Sequence, residues 1–392
     1  MGCASRGLIQ GRAMEHLEAL RQRVLARLAE WEAAGLRRSL RPPSGIDLSS
    51  NDYLGLAAHP RLVRRLIAAA RAYGCGATAS RLLRGHRELF TDVERRFAAF
   101  KGAEAALYFA SGYAANLGVL TTFLEPGDVV FSDERNHASL IDGMRLARAR
   151  RVIFPHRDVN ALAQLLRQEH GPGQKFLVTE SLFSMDGDRA PLREYAALCR
   201  ETGTALIVDE AHAVGLYGER GSGLIEEMGV ADAVFLSINT AGKALGVCGA
   251  FVAGPVWAIE YMIQRARPFV FSTAPPPALL AALDEALALI AEEPERRARV
   301  RANARQLREQ LLAKGIAVPL DDSPIIPVIL GESTRAVAVA AALQEEGFDV
   351  RAIRPPTVPV GTARLRVSVN VHVSETIAER FASALARILH AG

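Results

Sequence analysis

Short apolar runs of strand length recur along the chain, separated mostly by alanine-, leucine- and arginine-rich stretches of helical length. The pattern predicts seven strands, at residues 106–109, 129–132, 151–154, 176–179, 205–208, 233–238 and 249–253. Strands that alternate with helices form a mostly parallel sheet with right-handed crossovers. The ligand crevice of such a sheet lies beyond the carboxyl ends of its strands.

The pattern also predicts structure on both sides of this sheet in the sequence. Near the N-terminus, the apolar positions of an amphipathic helix recur every three or four residues, at Leu17, Leu20, Val24, Leu28 and Trp31. Runs at 325–330 and 364–369 predict strands of a smaller α/β lobe, and an apolar helix at 279–290 would cross between the lobes. We therefore expect an N-terminal helical segment (1–46), a large domain (47–283) and a small C-terminal domain (284–392).

Polar residues follow several of the predicted strands at the point where each strand ends. The four groups are Ser111-Gly112-Tyr113, Asp133 to His137, Glu180 to Asp188 and Asp209 to His212. Each group has an ordinary explanation on its own, such as a helix cap or a hydrogen-bonded polar side chain. Because the carboxyl ends of parallel strands meet at one edge of a sheet, the groups together predict a ligand site.

A lysine follows a fifth strand, in the glycine-rich loop between 233–238 and 249–253. The chain has only four lysines among its 47 lysine and arginine residues. Because arginine supplies most of its positive charges, Lys243 is a candidate for a role that arginine cannot fill. An amine that loses its proton and forms a Schiff base would require lysine there. A surface lysine in a turn explains this segment equally well when the segment is considered alone.

Composition is typical of an ordinary enzyme with a large core. The chain has 392 residues, of which 49% are hydrophobic and 23% charged. Its net charge of +4 is spread along the chain, which favours an anionic small substrate over nucleic acid. The four cysteines lie far apart without metal-ligand spacing, and no apolar run has membrane-spanning length. We expect a cytoplasmic protein with no metal site.

Pyridoxal 5′-phosphate (PLP) is a cofactor whose needs match these groups. It requires an amine for the Schiff base, hydrogen-bond donors for its phosphate, and an acid beside the pyridine nitrogen. Lys243, the 111–113 turn with Thr240, and Asp209 would fill these three roles. Asp209 precedes Lys243 by about one strand-helix-strand step, as expected for neighbouring strand ends.

Five motifs resemble those of the α-oxoamine synthases, which are PLP-dependent transferases of fold type I, the aspartate-aminotransferase fold. The motifs are SNDYLG (50–55), NHASL (136–140), SMDGD (184–188), VDEAH (208–212) and TAGK (240–243). The resemblance extends from about residue 15 to the C-terminus. It implies an α/β fold, with a large lobe built on a mostly parallel seven-stranded sheet and a smaller α/β C-terminal lobe.

The resemblance also implies roles for individual residues. Lys243 would hold PLP and act as the base on the substrate's Cα proton, Asp209 would pair with the pyridine nitrogen, and His137 would stack on the ring. Further cofactor contacts are implied for Gly112, Tyr113, Ser184, His212, Thr240 and Thr273. Thr273 would reach the phosphate bound by a partner subunit, so the active form would be a homodimer with shared active sites. Substrate contacts are implied for Arg37, Asn51, His137, Arg354 and Thr357.

Two segments, FSTAPP (271–276) and AIRPPTVPVGTARLR (352–366), resemble one family member in particular. That member joins L-alanine to a pimeloyl thioester with loss of CO2 in biotin biosynthesis, and the acyl donor would be a thioester of coenzyme A or of an acyl carrier protein. One alternative is a sister α-oxoamine synthase that uses glycine and an acetyl thioester, or that serves secondary metabolism. Another is a non-catalytic PLP-binding homologue, which the joint presence of Lys243, Asp209, His212 and His137 disfavours.

Overall fold

Strands and helices alternate along the chain in the order that the apolar pattern predicts. The computed structural model describes the backbone of residues 4–391 and the side chains of residues 17–390. Its strands are β1 (Ile46–Asp47), β2 (Ala105–Phe109), β3 (Val129–Asp133), β4 (Arg150–Phe154), β5 (Lys175–Glu180), β6 (Thr204–Asp209), β7 (Val234–Thr240), β8 (Ala250–Gly254), β9 (Ile325–Gly331), β10 (Phe348–Asp349), β11 (Ala352–Ile353) and β12 (Ala363–Ser368). Its helices are α1 (Ala4–Ala33), α2 (Pro60–Tyr73), α3 (Glu88–Lys101), α4 (Gly112–Phe123), α5 (Ala138–Ala147), α6 (Val159–Gln168), α7 (Leu192–Thr202), α8 (Leu224–Met228), α9 (Val256–Arg265), α10 (Arg267–Val270), α11 (Pro277–Glu292), α12 (Pro294–Ala313), α13 (Ser333–Glu345) and α14 (Glu375–Ala391).

The large sheet has seven strands in the order β2-β8-β7-β6-β5-β3-β4. Neighbouring strands run parallel except at β8, which is antiparallel to both β2 and β7. Each of the seven predicted strands is present, with ends that differ by no more than about two residues. The mostly parallel α/β sheet predicted from the sequence is therefore confirmed.

Both faces of this sheet are buried, which explains why its strands read as continuous apolar runs. Successive side chains of a strand point to opposite faces. Val129 and Phe131 of β3 accordingly belong to one apolar cluster, whereas Val130 between them belongs to another. Residues of α3, α6, α7 and α11 join the first cluster, and residues of α4, α5 and α9 join the second. With both faces covered by helices, polar side chains collect at the strand ends.

A second sheet of three antiparallel strands, in the order β11-β12-β9, forms the core of the C-terminal part. Residues of α12, α13 and α14 pack with it in one apolar cluster, which also includes Leu48. Strand β1 pairs in parallel with β10, so the chain just before the large domain adjoins the small one. The domain boundaries at 46/47 and 283/284 stay predictions. Within residues 4–391, every helix is too short or too polar to cross a membrane.

A histidine held between two carboxylates joins the loops beyond β3, β4 and β5. His156 Nδ1 lies 2.9 Å from Asp133 Oδ1, and its Nε2 lies 2.8 Å from Asp188 Oδ2. Burial by itself would lower the pKa of His156, but the hydrogen bonds and charges of the two aspartates outweigh it and raise the pKa to about 9. The protonated imidazole therefore holds the SMDGD segment (184–188) against the end of β3.

The change His156→Gln should lower stability in a pH-dependent way. Because the folded-state pKa of about 9 lies above the ordinary value of 6.5, His156 contributes its full stabilisation below pH 6.5 and loses it as the pH rises through 9. The full contribution corresponds to about 3 kcal/mol of unfolding free energy. We expect the stability difference between wild type and variant, measured by denaturant unfolding, to shrink from pH 6.5 to pH 9. A stability difference that stays constant over this pH range would contradict a protonated His156 held between Asp133 and Asp188.

Candidate active site

A cavity of about 140 Å³ lies where β5, β6 and β7 end. Seven residues that the sequence singled out line it: Gly112, Tyr113, His137, Asp209, His212, Thr240 and Lys243. The other lining residues are Asn116, Ser139, Glu180 and Ala211. The fold thus brings the candidate amine, acid and phosphate-binding turn to one place.

Lys243 lies in a turn that depends on glycine. Gly249 in this turn has a φ of 93°, and a Cβ added there would lie 2.2 Å from the Tyr108 hydroxyl. Any larger residue would therefore push the turn away from β2. Burial lowers the pKa of Lys243 to about 8, although the charges of Asp209 and Glu180 oppose the shift. About a tenth of the amine is neutral at pH 7, and only the neutral form captures an aldehyde.

Asp209 is the last residue of β6, and two donors hold its carboxylate. Its Oδ2 accepts a 2.8 Å hydrogen bond from Asn116 Nδ2, and its Oδ1 accepts a 2.9 Å hydrogen bond from the backbone N–H of Ala211. Asn116 is itself oriented, because its Nδ2 also donates to Ser139 Oγ at 2.8 Å. The carboxylate therefore has the fixed position that a partner of a protonated ring nitrogen needs.

Two histidines line the cavity beside these groups, and the site keeps both neutral. Burial lowers the pKa of His137; Asp209 opposes this shift and Lys243 adds to it. His212 is buried with its Nδ1 2.8 Å from the Tyr53 hydroxyl. Burial, together with the neighbouring cations, holds the pKa of His212 well below its usual range. Neutral imidazoles offer a flat ring face and a nitrogen that accepts a proton.

Glu180 lines the same cavity, although the sequence reasoning assigned it no role. It ends β5 as Asp209 ends β6, and the strand register sets the two residues side by side. Its Oε2 accepts a 3.1 Å hydrogen bond from the Ser184 N–H, whereas its buried Oε1 has no partner among the described residues. Burial and the charge of Asp209 raise the pKa of Glu180 to about 8, with Lys243 opposing them. The acid is mostly protonated at pH 7, and its position directly after an apolar run was the signal that could have found it.

The start of α4 provides donors for a phosphate. Ser111 caps this helix by accepting a 3.1 Å hydrogen bond from the N–H of Ala114. The first N–H groups of a helix, here those of Gly112 and Tyr113, have no partner within the helix and attract anions. A Cβ at Gly112 would lie 2.6 Å from Thr240 Oγ1, so glycine keeps this corner of the cavity open. The amine, the acid and this corner together fit PLP.

Six other predicted residues lie outside the cavity lining: Ser184, Asn51, Thr273, Arg37, Arg354 and Thr357. Ser184 adjoins the cavity through its hydrogen bond to Glu180, and Asn51 adjoins it through Tyr53, whose hydroxyl lies 3.1 Å from Asn51 Oδ1. Thr273 is exposed after α10. The remaining three residues line a separate cleft between the N-terminal segment and α13.

Comparisons with known proteins agree with this geometry. Residues 43–385 match the family described as aminotransferase class I and II. The chain belongs to this family. It is 49% identical over 378 residues to the 8-amino-7-oxononanoate synthase of Anaeromyxobacter sp. (strain K), an alignment that covers 93% of this chain and 94% of the relative.

Solved structures of family relatives have the same fold. The 8-amino-7-oxononanoate synthase of Francisella tularensis is 30% identical and has a TM-score of 0.77, with 89% of this chain and 98% of that chain covered. A serine palmitoyltransferase from S. paucimobilis with a bound PLP–myriocin aldimine is 28% identical and has a TM-score of 0.88, with 94% and 97% covered. The family resemblance and the fold class predicted from the sequence are confirmed. Among the described residues, no group of His, Cys, Asp or Glu side chains could hold a metal ion.

The change Glu180→Gln should leave PLP binding nearly unchanged at pH 7, because glutamine resembles the protonated acid. Above pH 8 the wild-type carboxyl ionises and places a second negative charge beside Asp209, which disfavours an anionic cofactor. We expect the PLP dissociation constant, measured by titrating the apoprotein, to rise more steeply between pH 7 and 9 for wild type than for the variant. Glu180→Asp keeps an ionisable group and serves as the control that retains the pH dependence. Equal slopes for wild type and Glu180→Gln would refute the protonated state.

Proposed function

We propose that this chain acts as a PLP-dependent acyltransferase of the 8-amino-7-oxononanoate synthase type. It would condense L-alanine with a pimeloyl thioester and release CO2, a step of biotin biosynthesis. The observation that carries the proposal is the meeting of Lys243, Asp209 and the start of α4 in one cavity. We also infer a cytoplasmic location, because Cys75, Cys199 and Cys248 are unpaired, as in a reducing compartment.

The cavity residues divide the proton transfers of such a reaction between them. When bound, PLP supplies a protonated ring that accepts the electrons released at the α-carbon of the amino acid. Asp209 would keep the ring nitrogen protonated. Lys243 would hold the cofactor and, once the amino group of alanine has replaced it, would take the proton from the α-carbon. Its pKa of about 8 suits a base that works near neutral pH.

The histidines and the buried acid would position the reacting groups. His137, at the start of α5, would lie against the ring face and beside the substrate. His212, held by Tyr53, would reach the ring hydroxyl. Protonated Glu180 would leave Asp209 as the main anion near the ring, where its charge would stabilise the proton on the ring nitrogen.

Four residues are proposed to bind the substrates. Arg354 would bind the carboxylate of alanine, and Arg37, Asn51 and Thr357 would line the path of the acyl group. Arg354 now donates hydrogen bonds to backbone carbonyls of the N-terminal segment, so it would exchange these partners for the carboxylate. The arginines around it supply the positive potential that supports this assignment.

The active form is proposed to be a homodimer. Large apolar side chains are exposed beside Thr273, since Phe271 is 71% exposed and Leu83 is 81% exposed. The two segments adjoin, because the N–H of Ala274 donates to Ala79 O at 2.9 Å. Exposed apolar groups on adjoining segments mark an interaction surface. A second copy of the chain would cover these side chains. Thr273 of one subunit would then approach the phosphate end of the partner's cavity.

The change Lys243→Ala should abolish both the condensation and the visible absorbance of the PLP-loaded protein, because it removes the amine from the cavity. The assay mixes the protein with alanine and pimeloyl-coenzyme A and detects the amino ketone by mass spectrometry. Lys314→Ala, a lysine outside the cavity, is the matched control and should keep both properties. Borohydride reduction followed by peptide mapping should place the pyridoxyl group on Lys243. A Lys243→Ala variant that keeps its colour and full turnover would refute the proposal.

The same assay separates the sister enzymes of the family. Alanine, glycine and serine are each paired with pimeloyl and acetyl thioesters, and turnover is compared. The proposal expects the alanine–pimeloyl pair to have the highest kcat/KM. Preference for glycine with the acetyl thioester would assign the chain to the alternative instead.

The change Leu83→Asp should weaken the proposed dimer, because a carboxylate cannot be buried there without a partner. Sedimentation should show a shift toward monomer, and PLP affinity should fall with it if the partner completes the phosphate site. Leu320→Asp is the matched control, since Leu320 is 82% exposed but lies in the small domain. It should leave the association state unchanged. A Leu83→Asp variant that sediments like wild type would exclude this surface as the interface.

A further inference from the structure

A chain of three hydrogen bonds along the cavity wall connects Asp209 to His137. Asn116 Nδ2 donates to Asp209 Oδ2 at 2.8 Å and to Ser139 Oγ at 2.8 Å. Ser139 Oγ lies 2.7 Å from His137 Nδ1. Asn116, Ser139 and Asp209 are buried, whereas His137 is exposed and lines the cavity. The chain therefore joins the acid at the end of β6 to a ring that a ligand in the cavity can contact.

The direction of each hydrogen bond in this chain follows from which atoms carry hydrogen. An ionised carboxylate only accepts, so the Asn116 amide must turn its NH2 group toward Asp209. The other N–H of that group is directed at Ser139, whose oxygen therefore accepts it. The hydroxyl has a single hydrogen, and among the described residues its only other partner is His137 Nδ1. Ser139 must therefore donate to His137.

The backbone leads independently to the same assignment for His137. The side chain of His137 caps α5, and its Nδ1 accepts a 3.3 Å hydrogen bond from the Ser139 N–H. Burial lowers the pKa of His137, which keeps the ring neutral near pH 7. A neutral imidazole has one N–H, and a nitrogen that accepts hydrogen bonds is not the one that carries it. The proton of His137 is therefore on Nε2, which has no hydrogen-bond partner among the described residues.

We propose that Ser139 is a positioning residue, whose hydroxyl fixes the tautomer of His137 so that Nε2–H is presented to an oxygen atom of the substrate. His137 would then act as a hydrogen-bond donor in the cavity, because its accepting nitrogen is turned to Ser139. Removal of the α-proton is left to Lys243. The inference rests on the proposed function and adds to it a residue that acts through His137.

Asp209 supports this arrangement from the other end of the chain. A flipped Asn116 amide would set its Oδ1 against the Asp209 carboxylate, so two acceptors would face each other. Asn116 keeps the unflipped orientation even though its buried Oδ1 has no partner among the described residues. The charge that would keep the ring nitrogen of PLP protonated therefore also sets the position of the proton on His137.

The tautomer can be measured directly by NMR on protein that carries 15N-labelled histidine, because a protonated ring nitrogen and an unprotonated one differ in 15N shift. A His137→Gln variant identifies the signals of His137 among those of the nine histidines. We expect wild type at neutral pH to show a protonated Nε2 and an unprotonated Nδ1, both with and without PLP. A proton on Nδ1, or on both nitrogens, would overturn the inference.

The change Ser139→Ala removes the hydroxyl but keeps the backbone N–H and the hydrogen bond between Asn116 and Asp209. We expect a mixture of the two tautomers of His137 and a kcat/KM that falls about tenfold or more, because one oriented hydrogen bond is lost. PLP affinity and the melting temperature should stay near those of wild type. Ser139→Thr keeps a hydroxyl and should restore the single tautomer. Ser181→Ala is the matched control, since Ser181 is buried and its hydroxyl has no partner among the described residues.

The NMR result separates a positioning role from a merely structural one. A Ser139→Ala variant whose His137 keeps the wild-type tautomer would overturn the inference, whatever its activity. A change of tautomer that leaves kcat/KM at the wild-type value would overturn it as well. Wild-type protein that makes no product from alanine and any thioester would instead refute the proposed function, and the NMR measurement needs no turnover.

Discussion

The cost of holding charge in one buried cavity constrains the rest of the site. Lys243, Asp209 and Glu180 all line it, and burial penalises the charged forms of Lys243 and Glu180. Asp209 accepts hydrogen bonds from two donors, whereas Glu180 has a buried oxygen, Oε1, that has no partner in the part of the chain that the structure describes. The proton therefore stays on Glu180. Lys243 then faces one main anion rather than two, so less negative charge opposes the lowering of its pKa.

Strand register is what brings these groups together. Glu180 of β5 lies beside Asp209 of β6, and Asp209 lies beside Ile238 of β7, two residues before the end of that strand. A slip of one residue would turn a carboxylate to the opposite face of the sheet. The apolar residues that bury both faces of the sheet therefore also position the acids. Core packing and site chemistry are two consequences of the same register.

Much of this could be predicted from the sequence, for identifiable reasons. Strands buried on both faces read as apolar runs, so the seven strands of the large sheet were found together with the polar residues at their ends. The protonation of Glu180 could not be predicted, because it depends on β5 and β6 being neighbours in the sheet. Local sequence patterns do not determine the order of strands in a sheet. The location of Arg354 also escaped prediction. It depends on how the N-terminal segment packs against the small domain, which involves residues more than 300 positions apart.

Two buried or partly buried lysines show what makes one of them suitable for chemistry. Lys101 Nζ lies 2.5 Å from Glu210 Oε2 and also donates to Ser222 O, so its charge is balanced by tight partners. Lys243 has no hydrogen bond from its amine among the described residues, and acids reach it only through their charge. A close acidic partner stabilises a buried ammonium group, whereas burial without such a partner lowers its pKa and makes the proton easier to lose. The scarcity of lysine in this chain therefore narrows the choice of reactive amine, but the missing partner is what distinguishes Lys243 from Lys101.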